Sequence, residues 1–265
     1  MVRLRQRRRP NEMRPLHVTY DMYAFASGST LFEIGNTKVL CAVTLQNGVP
    51  YFLRGKQAGW LTAEYAMLPA STPVRTARET AVNKRNGRTI EIARLIGRSL
   101  RSVTRLDLLG ERTIFVDCDV LQADGSTRTA CVTGAYLALK AAEKRWLYEG
   151  LLSESLITEE LMAVSVGWRG DEALLDIDYA EDSSISADFN FVLTRAARLV
   201  EIQGTSEGNP ILWEQFDQLR AVALLGVEQL GHFFDENSYA LPPAHSSDRS
   251  LAPFSKHHQY HHEMI

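Results

Sequence analysis

The chain alternates short β-branched apolar runs with longer stretches of helical period. Residues 29–34 and 37–45 are rich in Val, Ile, Leu and Thr and predict two strands, with Gly35-Asn36 between them as a short hairpin signal. Residues 60–68 are a third strand candidate. From Pro69 to Gly87 the pattern collapses into a polar stretch with no period, and a loop of that length inside a domain is either functional or disordered. Two stripes then mark a helix. Ile92, Leu95, Ile96, Ser99, Leu100 and Val103 keep the spacing of a core-facing side, while Arg94, Arg98, Arg101 and Arg105 form a cationic ridge. Like charges at that spacing disfavour an isolated helix, so an anionic partner or a neighbouring acidic surface has to offset them. A subunit interface carrying Arg–carboxylate pairs is the plainer reading of the same ridge.

The second half repeats the scheme. Residues 112–122 predict a buried strand, which runs into the turn 123–128 and then an Ala- and Leu-rich buried helix over 129–144. A connector over about 148–160 is the best internal boundary, because strands resume beyond it at 162–168, 173–178, 186–194 and 199–205. A helix over about 212–234 follows, with Leu219, Val222, Leu225, Val227 and Leu230 as its apolar side. Two β-rich segments, each followed by helices, predict an α+β architecture of mixed sheets with packed helices. We expect one domain over residues 1–236, with sub-lobes at about 9–148 and 160–236. Residues 237–265 turn to Ser, Pro and His and read as a disordered tail. Its His257-His258-Gln-Tyr-His261-His262 run would catch a transition metal only incidentally, since no Cys or carboxylate set is spaced around it.

Composition narrows the class. The 29 Lys and Arg against 32 Asp and Glu give a formal net charge of −3, but the distribution is uneven. Residues 1–14 hold six Arg and one Glu, and residues 71–105 hold eight Arg, one Lys and two Glu. Such a separated field would hold a polyanion at one place and repel it elsewhere, unless the blocks are solvated faces or inter-subunit ion pairs. Nothing approaches the ~18 consecutive apolar residues of a membrane span, and no apolar segment follows the basic N-terminus to make a secretory signal. Cys41, Cys118 and Cys131 are odd in number and form no CxxC, which reads as reduced core cysteines in a cytoplasmic protein.

Two turns carry candidate chemistry. In Asp124-Gly-Ser-Thr-Arg-Thr129 a strand ends in small residues that open a helix, so free backbone N–H groups and the positive dipole end make an anion site. Ser126 and Thr127 are expected to add hydroxyl donors, and Arg128 a planar fork matched to phosphate oxygens. An ordinary N-cap with Arg128 in solvent is the plainer alternative. Gly87-Arg88-Thr89 repeats the design at the start of the striped helix. No GxxxxGK[ST] is present, which excludes a P-loop. The acidic counterpart is Asp176-Ile-Asp-Tyr-Ala-Glu-Asp182, followed by Asp188 on a strand face shared with Asn190. Paired carboxylates are natural Mg²⁺ ligands, though a solvated acidic loop has the same composition. No Ser/His/Asp set is convincing.

Taken in order, Arg9-Pro-Asn-Glu-Met-Arg-Pro15, Glu33-Ile-Gly-Asn-Thr-Lys-Val-Leu-Cys41, Gly59-Trp-Leu-Thr-Ala-Glu-Tyr-Ala-Met-Leu-Pro69, Gly87-Arg-Thr-Ile-Glu-Ile, Arg94-Leu-Ile-Gly-Arg-Ser-Leu-Arg101, Asp117-Cys-Asp-Val-Leu-Gln-Ala-Asp124 and Gln203-Gly-Thr205 resemble the ribonuclease PH family. The likeness runs from about residue 9 to 235. It implies a single domain of that type and a ring-forming subunit, a homohexamer built as a trimer of dimers. It implies an enzyme that uses inorganic phosphate to shorten RNA from its 3′ end, tRNA precursors included, in the cytoplasm. The family's phosphate site maps onto Arg88, Ser126, Thr127 and Arg128. Its carboxylates map onto Asp182, the candidate acid on the leaving ribose oxygen, and Asp188, the pair holding Mg²⁺. The loop that holds the tRNA acceptor end maps onto Arg75 and Arg78, and the stripe of Arg94, Arg98 and Arg101 would grip the RNA backbone. Two departures stand out. Ser126 occupies the place of a second Gly, and Ala70 the place of an Arg that commonly follows Leu-Pro. The competing readings are a non-catalytic RNA-binding ring subunit and a Mg²⁺-dependent hydrolytic nuclease.

Overall fold

The computed structural model describes residue 5 and residues 8–78, 86–207 and 209–241. The predicted hairpin is present: β2 (Gly28–Ile34) and β3 (Thr37–Asn47) pair antiparallel with Ile34 opposite Thr37, and Gly35 turns the chain at φ +55°. An edge strand that the hydrophobic pattern did not reveal, β1 (Leu16–Tyr20), pairs with β2. It is only five residues long, and His17 and Thr19 alternate outward with Leu16, Val18 and Tyr20, so its apolar signal is weak. β4 (Trp60–Met67) and β5 (Arg112–Gln122) complete a five-stranded sheet in the order β1-β2-β3-β5-β4. The β4–β5 pair is the sheet's parallel pair, and α1 (Gly87–Ser102) lies in the crossover between them and packs on β4. The predicted core stripe of α1 is buried from Ile92 to Val103.

The second sheet is antiparallel, in the order β7-β6-β8-β9. Its strands are β6 (Leu161–Arg169), β7 (Glu172–Leu175), β8 (Ala187–Thr194) and β9 (Leu199–Ser206). α2 (Thr127–Tyr148) runs between the two sheets, against β2 and β3 on one side and β6 on the other. A helix enclosed this way has to be apolar all round, which is why its Ala-rich sequence shows no stripe. α4 (Trp213–Glu236) covers β6 and β7 with Leu219, Ala223, Val227, Leu230 and Phe234 buried; Leu225, expected on that side, is exposed, because the buried face follows the i, i+4 rows from Leu219. β7 stops at Leu175, short of the predicted Asp178, because Asp176 turns to φ +52° and a one-turn helix, α3 (Tyr179–Asp182), follows.

The three cysteines are buried and free, Cys41 facing Cys118 across the β3–β5 ladder. The chain beyond α4 remains packed to Leu241, where Tyr239 is buried and its hydroxyl bonds Asp21 at 3.1 Å. Residues 242–265, with the clustered histidines, lie outside the described residues, as do residues 1–4, 6 and 7 of the first basic block and residues 79–85 of the long loop.

Close packing of α2 on the first sheet depends on Gly28. A Cβ there would lie 2.3 Å from the Ala138 carbonyl oxygen and 2.5 Å from the Ala142 amide nitrogen, both backbone atoms. Gly28→Ala is therefore expected to destabilise the protein by about 1–3 kcal/mol, read as a lower urea midpoint at unchanged m-value.

Candidate active site

The turn after β5 is built from two left-handed residues. Gly125 has φ +76°, and a Cβ there would meet the Ile177 carbonyl at 2.4 Å, so only Gly fits. Ser126 follows at φ +56°, which accounts for the Gly expected at this place, since a side chain in that region costs about 1–2 kcal/mol. The Ser126 hydroxyl offsets that cost. It lies 3.0 Å from Asp176 Oδ1, 3.0 Å from the Ile177 carbonyl and 2.6 Å from the Ser165 hydroxyl. The expectation of a hydroxyl donor from Ser126 for an anion is thereby corrected: the side chain bonds inward to the second sheet and leaves only its backbone to the turn. No side chain caps α2, so the amides of its first turn stay open to a ligand.

Arg88, Ser126, Thr127, Arg128, Asp182 and Asp188 all line one open cleft of about 630 Å³, together with Val74, Tyr179, Phe189 and Asn190. Arg88 is the second residue of α1, its amide held by the Asn86 side chain at 3.2 Å. Arg128 is the second residue of α2; its Nη2 lies 3.5 Å from Glu91, and its Nε is buried with no hydrogen-bond partner. Beneath them the Tyr65 hydroxyl of β4 is likewise buried and unpartnered. Burial pushes that phenol up to about 12, against the opposing field of Arg88 and Arg128. Two orphaned donors beside two guanidiniums and a helix N-terminus fit an oxyanion such as phosphate.

Across the cleft, Asp182 ends α3 and Asp188 lies near the start of β8. Burial raises the Asp188 carboxyl above its ordinary range, and the negative charge of Asp182 raises it further, while Arg128 pulls the other way. Two coupled carboxylates fit Mg²⁺, which takes one or two protein carboxylates and fills the rest of its shell with water and phosphate oxygens. Among the described residues no group of three or more His, Cys, Asp and Glu is arranged to hold a metal by itself.

The acidic segment is not a solvated loop. Asp176 is buried and receives the Arg14 amide at 2.8 Å, Arg14 Nε at 2.8 Å and Arg14 Nη2 at 2.6 Å. Burial opposes its ionisation, but these bonds hold the carboxyl below the usual range. Glu181 is buried against Arg5 at 2.8 Å and Arg8 at 3.3 Å. Of the first basic block, Arg5, Arg8 and Arg14 are thus neutralised internally and do not present themselves to a polyanion, whereas Arg9 is exposed.

The ridge on α1 divides as well. Arg94 is exposed, whereas Arg98 makes a two-point pair with Glu201 on β9. Arg101 donates to the Leu61 carbonyl at 2.9 Å and stacks 4.7 Å over the Trp60 ring. Arg98 and Arg101, expected to grip RNA, are engaged in intramolecular contacts here, with acidic and aromatic partners on β9 and β4 that the helical period could not reveal. Arg75 and Arg78 are exposed on a loop tied to the turn by the Ala123 amide and Ser71 carbonyl, at 2.8 Å. Ala70 is exposed there too. Tyr65, Asp176, Arg14 and Ser165 were missed as site residues, since each reads locally as an ordinary strand or loop residue.

Fold and cleft together define an α+β domain in which two arginine-bearing helix N-termini share one cleft with a pair of carboxylates. Residues 12–144 match the model of the 3′ exoribonuclease family, domain 1. Ribonuclease PH of Neisseria meningitidis is 48% identical over 227 residues, 86% of this chain and 94% of the relative, and that of Neisseria gonorrhoeae is 47% identical over the same length. The fold is also similar to that of an Archaeoglobus fulgidus exosome with RNA bound to the active site, at TM-score 0.72 and 22% identity, covering 86% of this chain and 91% of that one. The chain belongs to the ribonuclease PH family, phosphorolytic exoribonucleases that act at RNA 3′ ends.

Two stability predictions follow from the turn. Ser126→Gly, which relieves the backbone, should be more stable than Ser126→Ala, which keeps the strain, by about 1–2 kcal/mol in chemical denaturation, since both lose the hydroxyl. Because the Asp176 carboxyl titrates lower folded than unfolded, its contribution is full above the unfolded value near 4 and disappears as pH falls through the folded one. Asp176→Asn should therefore flatten the acid limb of a stability-versus-pH curve below about pH 4.

Proposed function

We propose that this protein trims the 3′ ends of tRNA precursors by phosphorolysis, releasing nucleoside diphosphates in a reversible nucleotidyl transfer. The observation that carries the reading is the convergence, in one cleft, of Arg88, Thr127 and Arg128, with the Arg128 Nε unpartnered, and of Asp182 and Asp188. Orthophosphate held by those donors attacks the last phosphodiester in line. A bond forms from a phosphate oxygen to the terminal phosphorus, the bond to the ribose 3′ oxygen breaks, and Asp182 relays to that oxygen the proton given up by the attacking hydrogen phosphate. Charge growing on the phosphoryl oxygens meets guanidinium forks already in place, so the protein acts by positioning and electrostatics. Mg²⁺ held by Asp182 and Asp188 would add a Lewis acid to that field.

Arg75, Arg78 and Arg94 are assigned to the RNA backbone, at the open side of the cleft. The assembly proposed is a homohexamer, a trimer of dimers, working on tRNA precursors in the cytoplasm; among the described residues no helix is long and apolar enough to cross a membrane. A non-catalytic ring subunit would have no use for the orphaned donors, and a hydrolase none for two arginine-bearing anion sites.

The test is incubation with Mg²⁺ and a 3′-extended tRNA precursor, with and without orthophosphate. Nucleoside diphosphates appearing only with phosphate are expected; monophosphates formed without it would overturn the reading. Arg128→Ala should lower turnover by about 10²–10³-fold at unchanged RNA affinity, as seen in single-turnover assays beside filter binding. Arg75→Ala and Arg78→Ala should each weaken RNA binding and reduce the log–log salt slope by about 0.7, whereas Arg101→Ala should leave that slope unchanged.

A further inference from the structure

α3 is one turn of helix, far below the length at which a helix holds itself together. Its internal support is a capping box between Asp178 and Glu181, with bonds of 2.8 and 3.2 Å. Glu181 has no solvent exposure, while Asp182, the next residue, is exposed and lines the cleft. A carboxylate buried to that degree has to be paired, and three guanidiniums converge on it: Arg5 at 2.8 Å, Arg8 at 3.3 Å and Arg169 at 4.0 Å.

The first two belong to a segment about 170 residues earlier in the chain. Arg5 is 5% exposed and spends its remaining donors on the carbonyls of Arg9 at 2.9 Å, Pro10 at 2.8 Å and Leu175. Arg8 reaches the Asp176 carbonyl at 3.2 Å, and the Pro10 carbonyl accepts from the Leu175 amide at 2.7 Å. The segment is thereby strapped to the end of β7 and to the back of α3. Burying such a pair adds little net stability, because desolvation offsets the attraction, so what the contact supplies is position.

We propose that Arg5 and Arg8 are positioning residues for the reaction: by pinning Glu181 they fix the one-turn helix that presents Asp182 to Asp188, and the carboxylate pair is assembled only while the N-terminal segment is docked. The inference rests on the assignment of Asp182 and Asp188 made above. Arg88, Thr127 and Arg128 lie on other elements and Arg5 touches none of them, so its pairing bears on the carboxylate side of the cleft, while Arg8 also meets Asp176, at 3.4 Å, the carboxylate that holds Ser126.

The test uses the full chain with Arg5→Met, Arg5→Lys and the apolar double variant Arg5→Met/Glu181→Leu. Turnover and phosphate KM are measured with a 3′-extended RNA, Mn²⁺ affinity by electron paramagnetic resonance, and folding by thermal denaturation. Arg5→Met should lower kcat and weaken Mn²⁺ binding by about 10–100-fold while phosphate KM stays within about twofold. Arg5→Lys, which keeps the charge and loses the fork, should recover part of both. The double variant leaves no unpaired buried charge, so it should regain the thermal midpoint but not the kcat or the Mn²⁺ affinity. Recovery of either in the double variant would overturn the proposal, as would a folded Arg5→Met protein with unaltered kcat and Mn²⁺ affinity. If Arg5→Met does not fold, Arg5→Lys and the double variant decide the matter. Failure of the unmodified protein to release diphosphates would strike the phosphorolytic reading, and Mn²⁺ affinity would still judge the strap.

Discussion

The buried carboxylate of Asp176 is the point on which the cleft depends. Arg14 closes on it with side chain and backbone, and Ser126 reaches it at 3.0 Å. Arg14 also donates to the Asp124 carbonyl, so one ion pair joins the strand end of the first sheet, the anion-binding turn and the start of the acidic segment. Removing either charge would leave the other stranded in a low-dielectric interior, the circumstance in which a buried pair becomes costly to break. The anion side and the carboxylate side of the cleft are held in register through this shared anchor.

Charge is accordingly used in two ways. Arg5, Arg8 and Arg14 turn inward and are balanced by Asp176 and Glu181, whereas Arg75, Arg78, Arg88 and Arg94 stay at the surface. Net charge would not distinguish the two groups. Their burial does.

Elements with strong local period were legible in the amino-acid order: the β2–β3 hairpin, the core face of α1, and the strands of the second sheet. The residue patterns of the two turns and of the carboxylate pair were legible too, since each is short and local, and the structure brings them to a single cleft. What escaped was set by partners distant in the chain. The period of α1 placed Arg98 and Arg101 on one side but could not say that Glu201 and Trp60 would face them. The inward turn of Ser126 depends on Ser165 and Asp176, and the pairing of Arg5 with Glu181 spans 176 positions. α3 has too few residues to show any period.

That separation orders events during synthesis. Arg5 leaves the ribosome 176 residues before the carboxylate it must meet, and the parallel β4–β5 pairing also waits for a crossover to be completed. Long-range closures of this kind come late in folding. A nascent chain can thus build its first sheet well before α3 exists, but the Ser126 turn stays unanchored until Ser165 and Asp176 have been made. Both sides of the cleft are therefore completed together, once the second sheet is in place.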